Sequence, residues 1–337
     1  MLKMVLAELA RRVDGVAGVE VAGLSSSHRA VHLTSRWKGR AVFAVFAAGE
    51  AAPSLVIKID IQPTHKSRLH AEFAALTELG GHPRIQGRVP VPVALFDVGN
   101  RCVLAQTGIP GVPLNVVLRR RLRVTRRRFS ADQDRVLGWL ADLQDVGRLD
   151  RVPFNAEVAL SRMQATLQSR SGGAASFLRA MTRQAGLGLE MSLPATAGHG
   201  DLGPSNCLIS SAGQVGVIDW EGGVGLRSPL VDIVVFLHHY ARALSTQRHA
   251  GAGGAFRRAF LADGWVAELT ASGLHAQLRR LGVSPEGAPL LVAATIADLA
   301  CGETRSVHEH RPASRRHWAM CLELFADGHQ RSLLGRP

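Results

Sequence analysis

The sequence has only four cysteines, Cys102, Cys207, Cys301 and Cys321, far apart and never in a CxxC pair. That spacing argues against a zinc site and against a disulfide framework, and a reducing cytoplasm is the expected home. Apolar runs are short. None approaches the roughly 20 residues a membrane-spanning helix needs. Residues 1–13 set Lys3, Glu8, Arg11 and Arg12 among apolar residues at helical spacing, without the apolar segment and small-residue cleavage site of a signal peptide. Lysine is scarce: Lys3, Lys38, Lys58 and Lys66 are the whole set, so the net charge of +13 is almost entirely arginine. A basic surface favours anionic partners such as nucleotides, phosphorylated substrates, acidic lipid or nucleic acid. No helix-turn-helix, zinc finger or aromatic-studded RNA-binding motif accompanies the charge, so nucleic acid is not an expected partner. No internal repeat is present.

What remains is a 337-residue chain, 46% hydrophobic and 20% charged, long enough to bury a sizeable core as two lobes. Its first hundred residues read as strands. Ala41–Phe46 and Ser54–Ile59 are short apolar runs bounded by Gly, Glu and Pro, and 91–95 and 101–105 form two more around a turn at 97–100. Between them, 70–79 has apolar residues at helical spacing and stops at Gly80-Gly81. Thr107 to Pro113 is the strongest breaker cluster of this half and places the domain boundary at 106/107. Beyond it, 131–146, 156–169 and 174–185 are helical, as is most of the chain after Pro229, with turns expected at 251–254 and 284–287. A compact non-helical stretch, 198–225, interrupts the helices. The expected class is α+β, a small N-terminal antiparallel β lobe (1–106) followed by a larger, mainly helical lobe (107–337).

That non-helical stretch carries the chemistry. His199-Gly200-Asp201-Leu202-Gly203-Pro204-Ser205-Asn206 places an Asp and an Asn five residues apart, and Asp219-Trp220-Glu221 follows at the end of the apolar run 215–218. Phosphoryl transfer needs a positioned nucleophile, a metal across the phosphates and charge compensation, rather than covalent help. A loop carboxylate can take a hydroxyl proton, and an amide oxygen with a second carboxylate can hold Mg²⁺. With Pro229-Leu230-Val231-Asp232 downstream, these residues resemble the signature of the aminoglycoside phosphotransferase and choline kinase-like family, H-G-D-L-x-x-x-N-x-L, I-D-W/F-E/D and G-D-P-x-x-D-L. About ten positions match in register over 34 residues. The resemblance implies a protein-kinase-like fold and transfer of a phosphoryl group from Mg²⁺-bound ATP. It makes Asp201 the catalytic base and Asn206 and Asp219 metal ligands, with Asp232 bracing the catalytic loop.

The upstream half agrees. Lys58 lies inside the apolar strand Val56-Ile57-Lys58-Ile59, and Glu72 falls in the following helix. The family pairs such residues so that the lysine is held against nucleotide phosphates. A lone charge in an apolar strand is costly to bury unless paired; the bland alternative is an edge strand with Lys58 in solvent. For Glu72 it is an ordinary acidic residue early in a helix. Ile109 to Leu114 resembles the family's I-P-G-x-P-L segment, and Leu140 to Gln144 its L-x-x-L-H position, with Gln144 in place of His. The resemblance spans roughly residues 20–240, and the last hundred residues match only as generic helices. One departure concerns the phosphate loop. Its counterpart around Gly23, with Ser25, Ser26 and Ser27 expected at the nucleotide, has a single glycine where kinases use several to bring backbone N–H groups close.

Other residues are left open. Glu221 suits either a metal role or a surface position, and His199 is expected to brace the loop rather than move protons. Cys207 reads as a small packed hydrophobe. His238-His239, His308 and His310 lack ligands at metal spacing and read as non-metal. The run from Arg119 to Arg128 is either a solvated face or a surface for an anionic partner, acidic lipid or a phosphorylated acceptor. Residues 115–183 hold only Asp132, Asp134, Asp142, Asp145, Asp150 and Glu157 as acids against more arginines, which favours a neutral or anionic hydroxyl acceptor over a polycationic aminoglycoside. The rival of another class is a catalytically idle, nucleotide-binding regulatory protein.

Overall fold

The computed structural model describes residues 1–13, 28–33, 39–62, 66–121, 124–147, 149–168, 173–187, 191–245, 251–302 and 312–335. The serines 25–27, His308 and His310 lie outside them. The chain divides into two compact units, Met1–Pro113 with Asn206–Val224, and Leu114–Ser205 with Gly225–Pro337.

The first unit is built on a five-stranded antiparallel sheet. Helix α1 (Leu2–Arg12) precedes strands β1 (His28–His32), β2 (Arg40–Ala47) and β3 (Leu55–Asp60). Helix α2 (Lys66–Leu79) and strands β4 (Pro92–Val98) and β5 (Arg101–Thr107) follow. The strand order is β1-β2-β3-β5-β4, so β3 is central and hydrogen-bonded on both sides. Alternation decides which faces are buried. Leu55, Ile57 and Ile59 point into a core shared with Val45, Val103 and Ala105, which the apolar stripe Val5, Leu6 and Leu9 of α1 covers. The opposite face of β3 presents Lys58. Helix α2 buries Leu69 against Cys102 and Leu104. A second, three-stranded sheet pairs Cys207–Ile209 with Val215–Val217 and with Val112–Pro113.

The second unit is mainly helical, with helices Leu114–Arg120, Arg126–Val146, Ala156–Leu167, Ala174–Ala185, Leu230–Ser245, Ala252–Phe260, Trp265–Arg280, Ala288–Cys301 and Pro312–Gly328. Its large buried side chains include Phe129, Trp139, Phe177, Phe236, Tyr240, Phe256 and Phe325. The turn expected at 251–254 is instead the start of the Ala252–Phe260 helix, because Ala255, Phe256, Ala259 and Phe260 are buried and their burial outweighs the poor helix propensity of two glycines. The expected turn at 284–287 is a 3₁₀ turn capped by Ser284.

Candidate active site

In the first unit the functional residues meet where two local elements converge on α2. Lys58 projects from the central strand, and Glu72 lies fully buried one helical segment on. The lysine ammonium donates to both Glu72 oxygens, at 2.6 and 2.7 Å. It also donates to Asp219 Oδ1 at 2.9 Å. The edge-strand alternative fails, since the Lys58 side chain is only 6% exposed. Glu72 accepts a further bond from the Trp220 backbone N–H, at 3.3 Å.

Asp219 is placed by a β-hairpin. Cys207 pairs with Val217, so the residues just outside that pair, Asn206 and Ile218, lie side by side, and the Ile218 N–H donates to the Asn206 carbonyl at 3.0 Å. The hairpin thereby brings Asn206 to the residue preceding Asp219, which chain distance alone does not. Asp219 is the one described non-glycine residue with positive φ, at 74°. A backbone held in this costly region at a polar residue points to function. Trp220 anchors the turn: fully buried, its indole N–H donates to the Val217 carbonyl at 3.1 Å.

Two arginines that sequence reasoning missed complete the cluster. Arg40, 7% exposed at the start of β2, donates to Asp219 at 3.3 Å and forms an ion pair with Glu221. Arg68 lies 3.9 Å from the other Glu221 oxygen. Glu221 is therefore buried and ion-paired, which removes its surface alternative. The only local signal for Arg40 was a charged residue opening an apolar strand. Ligand oxygens of Glu72, Asp219 and Glu221 lie within 4.8 Å of one another. Hard carboxylate oxygens are the chemistry Mg²⁺ prefers, so Asp219 fits a divalent cation, while Glu72 and Glu221 are bonded to Lys58 and Arg40.

In the second unit the loop around Asp201 is held by backbone capture. Asp232, in the first turn of the Leu230–Ser245 helix, accepts the His199 N–H through Oδ2 and the Gly200 N–H through Oδ1, both at 2.7 Å. The His199 imidazole is buried, and its Nδ1 accepts the Asp201 N–H at 3.2 Å, a bracing contact. Gly200 has φ 79°, a left-handed conformation that L side chains rarely adopt, so glycine suits the position. Gln144 is buried; it donates to the Pro229 carbonyl at 2.9 Å and accepts from Arg280, tying down the chain just before the Asp232 helix. Asp201 itself stays half-exposed, bordering a cavity of about 290 Å³ lined also by Asn115, Arg119, Ser205, His239 and Arg242.

The family model described as the phosphotransferase enzyme family matches residues 33–269. The chain belongs to this family. Within the family match lie Lys58, Glu72, Asp201, Asn206, Asp219 and Asp232, and the fold is of the expected α+β class, an antiparallel N-terminal sheet with a largely helical remainder. No curated protein matches the sequence. Among solved structures, similar folds include the GDP and kanamycin complex of APH(2")-IIia, 12% identical with a TM-score of 0.47, covering 90% of this chain and 94% of that one. Amicoumacin kinase hAmiN in complex with AMP-PNP, Ca²⁺ and Ami is 13% identical with a TM-score of 0.47, covering 94% and 95%. Spectinomycin phosphotransferase APH(9)-Ia with ADP and its antibiotic is 10% identical, with a TM-score of 0.43, covering 90% and 94%. At these identities and TM-scores the likeness carries no argument about this chain.

His238 acquires partners that sequence spacing did not show. Its Nε2 lies 2.8 Å from His317 Nε2, which is 3.8 Å from Cys321 Sγ. Burial lowers the pKa of His238, takes His317 down to about 4 and raises the Cys321 thiol. His238, His317 and Cys321 are thus a set of three side chains that could hold a metal ion, which the spacing of the histidines in sequence did not show. Among the described residues no helix is long and apolar enough to cross a membrane.

Proposed function

We propose that this family member transfers the γ-phosphoryl group of ATP to a hydroxyl of a small neutral or anionic molecule. The observation that carries the reading is the buried chain Glu72–Lys58–Asp219 in a phosphotransferase family member. A buried cation shared by two carboxylates has one of them to spare for a ligand, and a lysine so held is a fixed point charge for nucleotide phosphates. Ser25, Ser26 and Ser27 would cover those phosphates.

Asp201 is the base in this reading. Its carboxylate accepts the acceptor's hydroxyl proton while that oxygen bonds to the γ-phosphorus. The bond from phosphorus to the bridging oxygen breaks, and its electron pair leaves with ADP. Asp232 and His199 act through the loop backbone, keeping the carboxylate where the hydroxyl must arrive. Asn206 and Asp219 would hold Mg²⁺, which when bound offsets phosphate charge.

The test is nucleotide consumption by the purified chain with Mg²⁺ against sugars, amino alcohols and aminoglycosides, with Asp201→Asn in parallel. Wild type should consume ATP only with an acceptor, whereas Asp201→Asn should lose transfer and keep nucleotide affinity, because the base acts on the acceptor. Nucleotide binding without transfer to any acceptor would instead favour the idle, regulatory reading. Near-normal turnover by Asp201→Asn would remove it from the role of base.

A further inference from the structure

The cavity bordering Asp201 lies wholly within the helical unit, between the C-terminal ends of two helices. Arg119 is in the last turn of Leu114–Arg120, and Arg242 in the last turn of Leu230–Ser245. Among the described residues Asp201 is the only acidic one lining it. Among the described residues neither guanidinium takes part in an ion pair, although Arg121, Arg126, Arg135, Arg162 and Arg280 of the same unit all do. Two acids that might have made an acceptor pocket negative, Asp132 and Asp145, are engaged elsewhere. Asp132 is bonded to Arg121 and to the Tyr240 hydroxyl, and Asp145 to Arg280.

Two guanidiniums with no ion-pair partner among the described residues, beside a proton-accepting carboxylate, discriminate among acceptor classes. A polycation would meet like charge on two sides. A neutral polyol would leave both charges unused. An acceptor that already carries a phosphate or carboxylate group would satisfy them, since the guanidinium fork matches the oxygens of either group. The volume agrees: about 290 Å³ sits at the small end of ligand sites, roughly 300–1,000 Å³, and suits a compact metabolite better than a multi-ring antibiotic.

We infer that this cavity is an anion subsite, in which Arg119 and Arg242 hold a phosphate or carboxylate group of the acceptor beside Asp201. The inference rests on the phosphotransferase reading for the role of Asp201, but the subsite can be tested without turnover. In the binding arm, the full chain is titrated by calorimetry with glycerol 3-phosphate, glycerate and glycerol. The phosphate and carboxylate compounds separate the two sources of negative charge. Wild type should bind at least one anionic compound, and not glycerol. Arg119→Gln and Arg242→Gln should each weaken that binding by roughly ten- to a hundredfold, as loss of a charge-assisted hydrogen bond does. Arg120→Gln should not, since exposed Arg120 adjoins Arg119 without lining the cavity and controls for net charge. In the turnover arm, matched pairs such as ribose and ribose 5-phosphate are offered with Mg-ATP, and the anionic member should have at least about tenfold higher kcat/KM, chiefly through KM. Binding that is absent, or equal in wild type and both arginine variants, overturns the subsite. So does a neutral sugar or kanamycin turned over better than its anionic counterparts, an outcome that leaves the phosphotransferase reading standing. Anion binding that depends on both arginines, with no transfer to any acceptor, keeps the subsite and sinks the phosphotransferase reading.

Discussion

Replacing Glu72 by alanine should cost the first unit about 3 kcal/mol of stability. Glu72 is fully buried, and it accepts two bonds from Lys58 and one from the Trp220 backbone. Removing one partner of a buried ion pair typically costs about 3–5 kcal/mol, because an uncompensated charge stays behind. Here Asp219 still accepts from the lysine at 2.9 Å, which holds the loss to the lower end of that range. A loss of about 3 kcal/mol lowers the folding constant by roughly two powers of ten, a large share of a domain's total of about 5–15 kcal/mol. The double variant Lys58→Met with Glu72→Leu removes both charges. It should recover at least half the loss, since apolar residues of similar volume often replace a buried pair at little cost. Asp219 then keeps Arg40 at 3.3 Å. The measurement is urea denaturation monitored by hydrogen exchange at β3 and α2 amides, so that the first unit is read by itself if the two units unfold separately. A Glu72→Ala shift under 1 kcal/mol, or a double variant worse than the sum of the singles, would refute the reasoning.

Asp219→Ala should raise the nucleotide and the Mg²⁺ needed for binding together; an unchanged Mg²⁺ dependence in nucleotide titrations would exclude it as a ligand. Asp232→Ala strips the acceptor from two backbone N–H groups, and at roughly 1–3 kcal/mol for each buried donor left unpaired it should destabilise the second unit by about 2–4 kcal/mol. Asp232→Asn, which keeps one acceptor oxygen, should lose about half as much, and equal losses in thermal denaturation would argue against backbone capture. Stability should also fall in mild acid. His238 and His317 have folded-state pKa values depressed by burial, so the unfolded chain binds their protons first. Their contribution is complete above the ordinary value of 6.5 and drains away as pH drops toward about 4. His317→Gln should flatten that part of the pH–stability curve, and an unaltered curve would count against a neutral pair.

The residues to which the proposed chemistry is assigned were legible because they resemble the family's motifs in register. The run from His199 to Asn206, Asp219, the strand lysine Lys58 and Asp232 each match one of those motifs. Strands and long helices were legible for a different reason, since burial of one face imprints a period of two or of about 3.6 on the sequence. Boundaries were less so. The helix expected from residue 131 begins at Arg126, where the Thr125 side chain accepts the Arg128 N–H at 3.3 Å, a local cap overlooked among the arginines.

By itself the sequence determined the α+β class, the family and the identities of the Asp, Asn, Lys and Glu residues that carry the proposed chemistry. Tertiary structure alone decided three further matters. It closed Arg40 onto Asp219 across 179 positions, it brought His317 to His238 across 79, and it packed Asn206–Val224 with the N-terminal sheet unit rather than with the helices that flank it in sequence. The physical reason is common to all three. Ion pairs, imidazole contacts and short strand pairings draw their partners from anywhere in the chain, and a pairing between distant residues leaves no period in the sequence that either residue carries alone.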